Sequence, residues 1–287
     1  MSSRVVVLGA GGFLGGALVG ALRSAGHEVL GVGRRAGTHV DVVGELVALG
    51  ERLTPADVVV CAAGLAIKDA SSEIELLRGN LGIARQAADA AASRGARLLL
   101  LSSADIWPLR ERAGARESGE VLPDTAYGFS KLVAESALRE RAARGLRFAI
   151  ARPSYVYGPG MFAGRLFPGV MRQAASGRVV LAGDPEARTD YLYVDDFTDA
   201  ILLMLQQARF DGEIIHVASG ALTRLADAAR SMIEVLGTKA ELVIDGGPAP
   251  HQPGPVAVEL LGAMGFVPRF DVAAGCRAWV ARNGGPS

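Results

Sequence analysis

Two cysteines in 287 residues leave this chain without a disulfide framework. Cys61 and Cys276 fit a reducing compartment. An excess of charge of either sign is also missing, since 30 Lys and Arg balance 30 Asp and Glu. No basic run stands out, so nucleic acid and anionic membranes are not expected partners. No apolar run approaches the ~18 residues that a membrane span needs. Met1-Ser2-Ser3-Arg4 leads straight into apolar sequence and leaves no room for a signal peptide. A soluble cytoplasmic protein is expected. His27, His39, His216 and His251 are scattered without metal-ligand spacing, so no metal is expected. Trp107 reads as packing, and no internal repeat is visible.

Glycine, by contrast, is plentiful, at 37 residues, and half of the chain is hydrophobic. The first stretch puts both to use. Val5-Val6-Val7-Leu8 is an apolar run suited to a strand buried on both faces. Gly9, Gly12 and Gly15 follow in a GxxGxxG spacing, and Phe13 and Leu14 open a helical pattern that Gly26 stops. A strand, a tight glycine turn and a helix together aim free N–H groups and the helix dipole at a phosphate. The bare glycine triplet is weak, and an ordinary βα turn is the alternative; the strand-turn-helix context favours a dinucleotide site.

A second strand over 28–32 ends in Gly33-Arg34-Arg35. An acid at this place would hold the adenosine ribose hydroxyls; an arginine suits a 2′-phosphate. Arg34 therefore favours NADP(H), with NAD(H) as the other candidate, and a solvated arginine pair is the plain alternative. Further buried strands read over 57–64, ending in small residues, and over 98–101, and helices over 80–93 and 127–144. The order of elements predicts an α/β fold with a doubly wound, Rossmann-type parallel sheet. Beyond it a strand over 147–151, helices over 165–176, 195–208 and 222–236, and short strands over 179–182, 214–218 and 241–244 are expected. Gly246–Pro255 reads as loop, and short helices near 256–264 and 271–282 close the chain. The expected division is a cofactor domain over 1–160 and a smaller α/β, mainly substrate-binding region over 161–287, with about 190–220 returning to the first.

Ser103, Tyr127 and Lys131 are the candidate catalytic group. Tyr127 and Lys131 are four apart and share a helix face. A phenol ordinarily keeps its proton to about pH 10. One ammonium about 4 Å away, at an effective dielectric of ~20, favours the phenolate by roughly 4 kcal/mol. A serine hydroxyl can hold a carbonyl oxygen while the phenol supplies its proton. Tyr and Lys at this spacing are often mere helix neighbours; the glycine turn upstream and the Ser-Ser strand end 24 residues before Tyr127 give the pair its meaning.

The motifs LGAGGFLG (8–15), DVVVCAAG (57–64), LLLLSSADIW (98–107), YGFSK (127–131), RPSYVYGPG (152–160) and DYLYVDD (190–196) run in order over about 190 residues. In them the chain resembles the extended short-chain dehydrogenase/reductase family, in its sugar-nucleotide epimerase/dehydratase/reductase branch. The resemblance implies that Gly9, Gly12 and Gly15 cradle the cofactor pyrophosphate with Phe13 and Leu14 beside it. It implies that Asp41 contacts the adenine, that Ala62 and Ala63 line the cofactor, and that Pro153 lies near the nicotinamide. Ser103 and Tyr127 would flank the reacting carbonyl, and Lys131 would also hold the nicotinamide ribose. Tyr155 and the segment around 161–191, with Arg165, Arg178, Arg188 and Tyr191, would face the substrate; the arginines read equally as solvated surface residues. A homodimer is the family's habit.

Two departures narrow the reading. The family's dehydratases follow the hydroxyl with an Asp-Glu pair where this chain has Ala104 and Asp105, so dehydration is not expected. An arginine that binds the substrate diphosphate often precedes the DYLYVDD stretch; Thr189 stands there, with Arg188 beside it. The leading expectation is an NADPH-dependent ketoreductase acting on a nucleotide-linked 4-keto-deoxysugar. A nucleotide-sugar 4-epimerase with tightly held NAD is the second, and a non-enzymatic cofactor sensor the third.

Overall fold

A computed structural model describes residues 4–44, 51–108, 111–247 and 254–282. Met1–Ser3, His251 and the 248–253 part of the expected Gly/Pro loop lie outside the described residues.

Seven strands form one parallel sheet: β1 (Val5–Leu8), β2 (Val29–Gly33), β3 (Val42–Val43), β4 (Val58–Cys61), β5 (Arg97–Leu101), β6 (Arg147–Pro153) and β11 (Asp211–Val217). Their spatial order is β11-β6-β5-β4-β1-β2-β3. The alternation of side chains across a strand divides the core in two. Val5 and Val7 join Leu18, Val19 and Leu22 of α1 (Phe13–Ser24) and Phe197 and Ile201 of α5 (Val194–Gln207). Val6 and Leu8 join Ala84, Ala88 and Ala91 of α2 (Glu73–Arg94) and Ala134 and Leu138 of α3 (Ala126–Ala142). Both faces are covered, which is why these strands are uninterrupted apolar runs.

From β1 the chain moves to one side through β2 and β3, then to the other through β4, β5, β6 and β11. The reversal between β1 and β4 leaves a crevice beyond the C-terminal strand ends, the place where open α/β sheets bind ligands.

The remaining strands pair in twos. β7 (Tyr155–Tyr157) runs parallel to β10 (Tyr191–Tyr193), β8 (Arg178–Ala182) parallel to β13 (Glu241–Asp245), and β9 (Arg188–Thr189) antiparallel to β12 (Thr223–Arg224). With α4 (Leu166–Ala174), α6 (Leu225–Val235), α7 (Glu259–Ala263) and α8 (Val272–Arg282) they complete the fold. Among the described residues no helix is long and apolar enough to cross a membrane.

Several boundaries differ from the sequence reading. α2 starts at Glu73 rather than near residue 80. Ser72 caps it by accepting from the Glu75 N–H at 3.2 Å, while the Glu75 carboxylate takes the Ser71 N–H and hydroxyl at 2.6 Å. These two caps outweigh the helix-weakening Gly79. α6 starts at Leu225 rather than 222, because Thr223 and Arg224 are drawn into β12 by pairing with β9.

Candidate active site

The crevice is a cleft of about 1040 Å³. Its floor at one end is the start of α1. Gly9 has φ +83°, open to glycine, and a Cβ there would lie 2.7 Å from the Ala63 nitrogen. A Cβ on Gly15 would run into the Gly9 carbonyl oxygen. The two glycines therefore let helix, turn and neighbouring strand close together. Gly12 is the N-cap and supplies no side-chain cap, and the first turn holds no acid. The free N–H groups of that turn and their dipole face the cleft, where Gly12, Phe13, Leu14 and Gly15 all contribute to the lining. Such a cradle fits a dinucleotide pyrophosphate. Gly15→Ala is expected to displace the turn and weaken nicotinamide-dinucleotide binding by about tenfold or more; a fluorescence titration of the folded variant measures it.

The opposite wall holds the candidate catalytic group. Ser103 caps a 3₁₀ turn over Ala104–Ile106, and its Oγ accepts from the Asp105 N–H at 3.1 Å. Its own proton is left for another acceptor. Tyr127 stands in the first turn of α3, which Thr125 caps through the Gly128 N–H at 3.0 Å. A Cβ on Gly128 would strike the Asp105 carbonyl, so this glycine lets the serine turn rest directly on the tyrosine helix. Lys131, one turn further and 8% exposed, donates from Nζ to the Leu101 carbonyl at 3.3 Å. Its Nζ lies 5.7 Å from the Tyr127 ring centre. Gly64 makes room for that ammonium, since a Cβ there would come within 3.1 Å of it. Ser103, Tyr127, Lys131, Ala62 and Pro153 all border the same cleft.

Residues that the sequence reading passed over hold these groups in place. Asn80 on α2 donates to Ser130 Oγ at 2.9 Å and bonds both backbone groups of Leu65. It ties the loop after β4 to α3. Glu135, one turn beyond Lys131, accepts from Ser102 at 2.6 Å and from Arg152 at 2.8 and 2.9 Å. The Glu135 carboxylate thus joins the residue before Ser103 to the residue before Pro153. Asp190, bordering the cleft, takes Ser154 Oγ, Ser219 N and Oγ, and the Gly220 N–H within 3.1 Å. Burial raises its pKa in spite of these donors. Ser72-x-x-Glu75 was a readable signal for α2; nothing in one sequence marked Asn80, Glu135 or Asp190.

The expected substrate side is only partly assembled. Tyr155 and Arg165 border the cleft, with the guanidinium 5.6 Å above the tyrosine ring. Burial raises the Tyr155 pKa. Tyr191 lies behind it, edge-on to Tyr155 at 5.2 Å and to Phe167 at 5.4 Å, and burial pushes its phenol up to about 12. Arg178 is exposed and faces Glu241 at 3.6 Å across β8 and β13. Thr189 and Asp190 line the cleft. Of the expected substrate residues, Tyr155 and Arg165 thus line the cleft, and Arg178, Arg188 and Tyr191 are not among its lining. Lys68 and Phe162 meet across the cleft, ammonium over ring at 4.5 Å.

On the cofactor side, the Asp41 carboxylate accepts from Arg23 at 2.6 and 2.7 Å and from the Gly31 N–H at 2.6 Å. Ala63 sits behind the turn, against Gly9. Arg34 is exposed at the end of β2. Lys68 holds the Asp69 carboxyl below its usual value, and the positive charge of Arg34 adds to this.

His216 is fully buried. Burial lowers its pKa against the opposing pull of Glu117 and Glu135, with Arg152 acting in the same direction as burial. Its folded pKa therefore lies below the unfolded value of about 6.5. The stabilising contribution is complete above that pH and is lost as pH falls, because the unfolded chain takes up a proton that the folded chain refuses. His216→Gln should flatten the acid-side loss of stability, measured by urea unfolding across the range below pH 6.5.

Residues 5–218 match the model of the family described as NAD dependent epimerase/dehydratase family. A dTDP-4-dehydrorhamnose reductase of Mycobacterium tuberculosis is 30% identical over 252 residues, covering 84% of this chain and 78% of that protein. A UDP-glucose 4-epimerase of Azospirillum brasilense is 28% identical over 312 residues, covering 94% and 88%. The solved structure of a Thermus thermophilus UDP-glucose 4-epimerase in complex with NAD superposes with a TM-score of 0.85 at 23% identity, covering 99% of this chain and 100% of that one.

Proposed function

The chain belongs to the NAD-dependent epimerase/dehydratase family, and we propose that it is an NADPH-dependent ketoreductase acting on a nucleotide-linked 4-keto-deoxysugar. The observation that carries this reading is the meeting of Ser103, Tyr127 and Lys131 on one wall of a cleft whose far end is the uncapped start of α1. A bound reduced nicotinamide supplies the hydride. Ser103 donates its free hydroxyl proton to the carbonyl oxygen and fixes its position. Tyr127 gives that oxygen the proton that completes the alcohol. Lys131, buried and aimed at the same region, stabilises the phenolate left behind and returns it to readiness. Asp105 stands where a dehydratase would place its second acid, but it is paired with Arg112 at 2.9 Å. With Ala104 in the place of the first acid, this favours simple reduction over elimination. The likeness to reductases of nucleotide-linked 4-keto sugars supports the substrate class.

Arg34 supports NADPH over NADH, since it follows Gly33 where an acid would repel a 2′-phosphate. The test is a panel of nucleotide-linked keto sugars with NADPH and with NADH, followed by nicotinamide absorbance. The expected result is one NADPH oxidised per ketone reduced, with Arg34→Ala raising the NADPH KM by about tenfold and leaving that for NADH near its starting value. Interconversion of nucleotide sugars without net cofactor consumption would instead place the chain among the 4-epimerases.

A further inference from the structure

The substrate end of the cleft is built from two segments remote in sequence. One is the serine turn and the loop after it, which contribute Asp105 and Arg112 to the lining. The other is the strap over 254–258, which contributes Gly254 and Val256. The strap lies along the loop in strand-like pairing: Gly114 N–H donates to the Pro255 carbonyl at 2.8 Å and Ala257 N–H to the Ala115 carbonyl at 2.9 Å. A Cβ on Gly254 would collide with Ala113. Neither segment belongs to the main sheet, so something must fix both to it.

His216, next to last in β11, touches both. Its Nδ1 lies 3.0 Å from the Ala257 carbonyl oxygen, which can only accept, so Nδ1 carries the proton. Its Nε2 is then an acceptor and takes the Trp107 indole N–H at 3.2 Å. The two rings meet edge-on, with centres 6.3 Å apart. Glu117, in the same loop, accepts from the His216 backbone N–H at 3.1 Å, and its own carbonyl takes Arg152 Nη1 at 3.4 Å. The imidazole is fully buried and all of its hydrogen-bonding capacity is used.

We infer that His216 is a positioning residue: it clamps the Ser103–Trp107 turn and the 254–258 strap to β11, and so sets the width of the substrate end of the cleft. The chemistry demanded of the side chain is one donor and one acceptor on opposite edges of a flat group. A glutamine offers both; a leucine of similar bulk offers neither, and leaves the Trp107 N–H and the Ala257 carbonyl buried without partners. The consequence for turnover rests on the proposed reductase function, whereas the clamp itself does not.

The experiment compares hydrogen–deuterium exchange of the full chain in five forms: unaltered, His216→Leu, His216→Gln, Trp107→Phe, and His216→Leu combined with Trp107→Phe. In His216→Leu the amides of 103–107 and 254–258 should exchange about tenfold faster or more, while those of β1 and α1 keep their protection. His216→Gln should restore most of the protection. Trp107→Phe should loosen 103–107, and adding it to His216→Leu should add little, because both remove the same contact. With the keto sugar that the unaltered protein reduces, His216→Leu should lower kcat/KM by about tenfold or more with the cofactor Kd within about twofold. Unchanged exchange in either segment, a uniform rise across the whole chain, a glutamine no better than leucine, or loosened segments with unchanged kcat/KM would each overturn the inference. If the unaltered protein reduces no member of the panel, the functional reading fails, and the exchange pattern still decides the clamp.

Discussion

Tyr127→Phe is expected to lower kcat about 10³-fold, within the usual range for loss of a general acid, and to leave cofactor affinity within about twofold. The ring remains, so the packing of the first turn of α3 remains. What disappears is the proton that the new alkoxide needs, in a wall where Ser103 is placed to hold the oxygen and not to replace that proton fully. Lys131 remains, but without the phenol there is no hydroxyl between it and the carbonyl oxygen to pass a proton on. The measurement is a steady-state comparison at saturating keto sugar and NADPH, with cofactor binding followed separately by titration. A residual rate near that of the unaltered protein would show that Tyr127 is not the proton donor.

The second large effect is on stability. Glu135 and Arg152 are 0% and 1% exposed and bonded twice at 2.8 and 2.9 Å. Removing Arg152 leaves the buried Glu135 carboxylate with only the more exposed Arg139 at 3.2 Å as a charged partner, which costs up to about 3–5 kcal/mol. Arg152→Leu should therefore lower the melting temperature by roughly 10 °C for a chain of this length. Arg152→Leu with Glu135→Leu removes both charges and should recover part of the loss, because paired buried ions contribute little net stability over apolar neighbours. In the single variant the hydrogen bond from Ser102 to Glu135 at 2.6 Å loses its fixed partner, so activity should fall even where folding survives. Thermal unfolding of the three proteins, compared with their kcat, separates the two effects.

The fold was legible where one residue pattern answers to one environment. β1 is four apolar residues because both of its faces are buried, and α1 follows at helical spacing because one stripe packs on that sheet. The same reasoning brought Gly9, Gly12 and Gly15 to one turn, and Tyr127 and Lys131 to one helix face. Legibility ended where the deciding contact lies far away in sequence. Nothing in the sequence marks Glu135 and Arg152 as buried, since such residues are seldom buried unless paired, and the pairing exists only once β6 lies beside α3. The pairing of Asp41 with Arg23, eighteen residues earlier, likewise exists only in the folded chain. Arg188 and Thr189 differ by one position on β9, and only the folded chain shows which of them lines the cleft. Two-residue strands such as β9 and β12 leave no periodic signal at all, which is why α6 was read as starting three residues early.

The central claim is that hydride passes to a ketone held between Ser103 and Tyr127. NADPH carrying deuterium at the transferable position of the nicotinamide tests it directly, with the reduced sugar examined by mass spectrometry and NMR. One deuterium on the new carbinol carbon for each nicotinamide oxidised is the result this account predicts. Product without the label, or a label that remains on the nicotinamide while product accumulates, would contradict it.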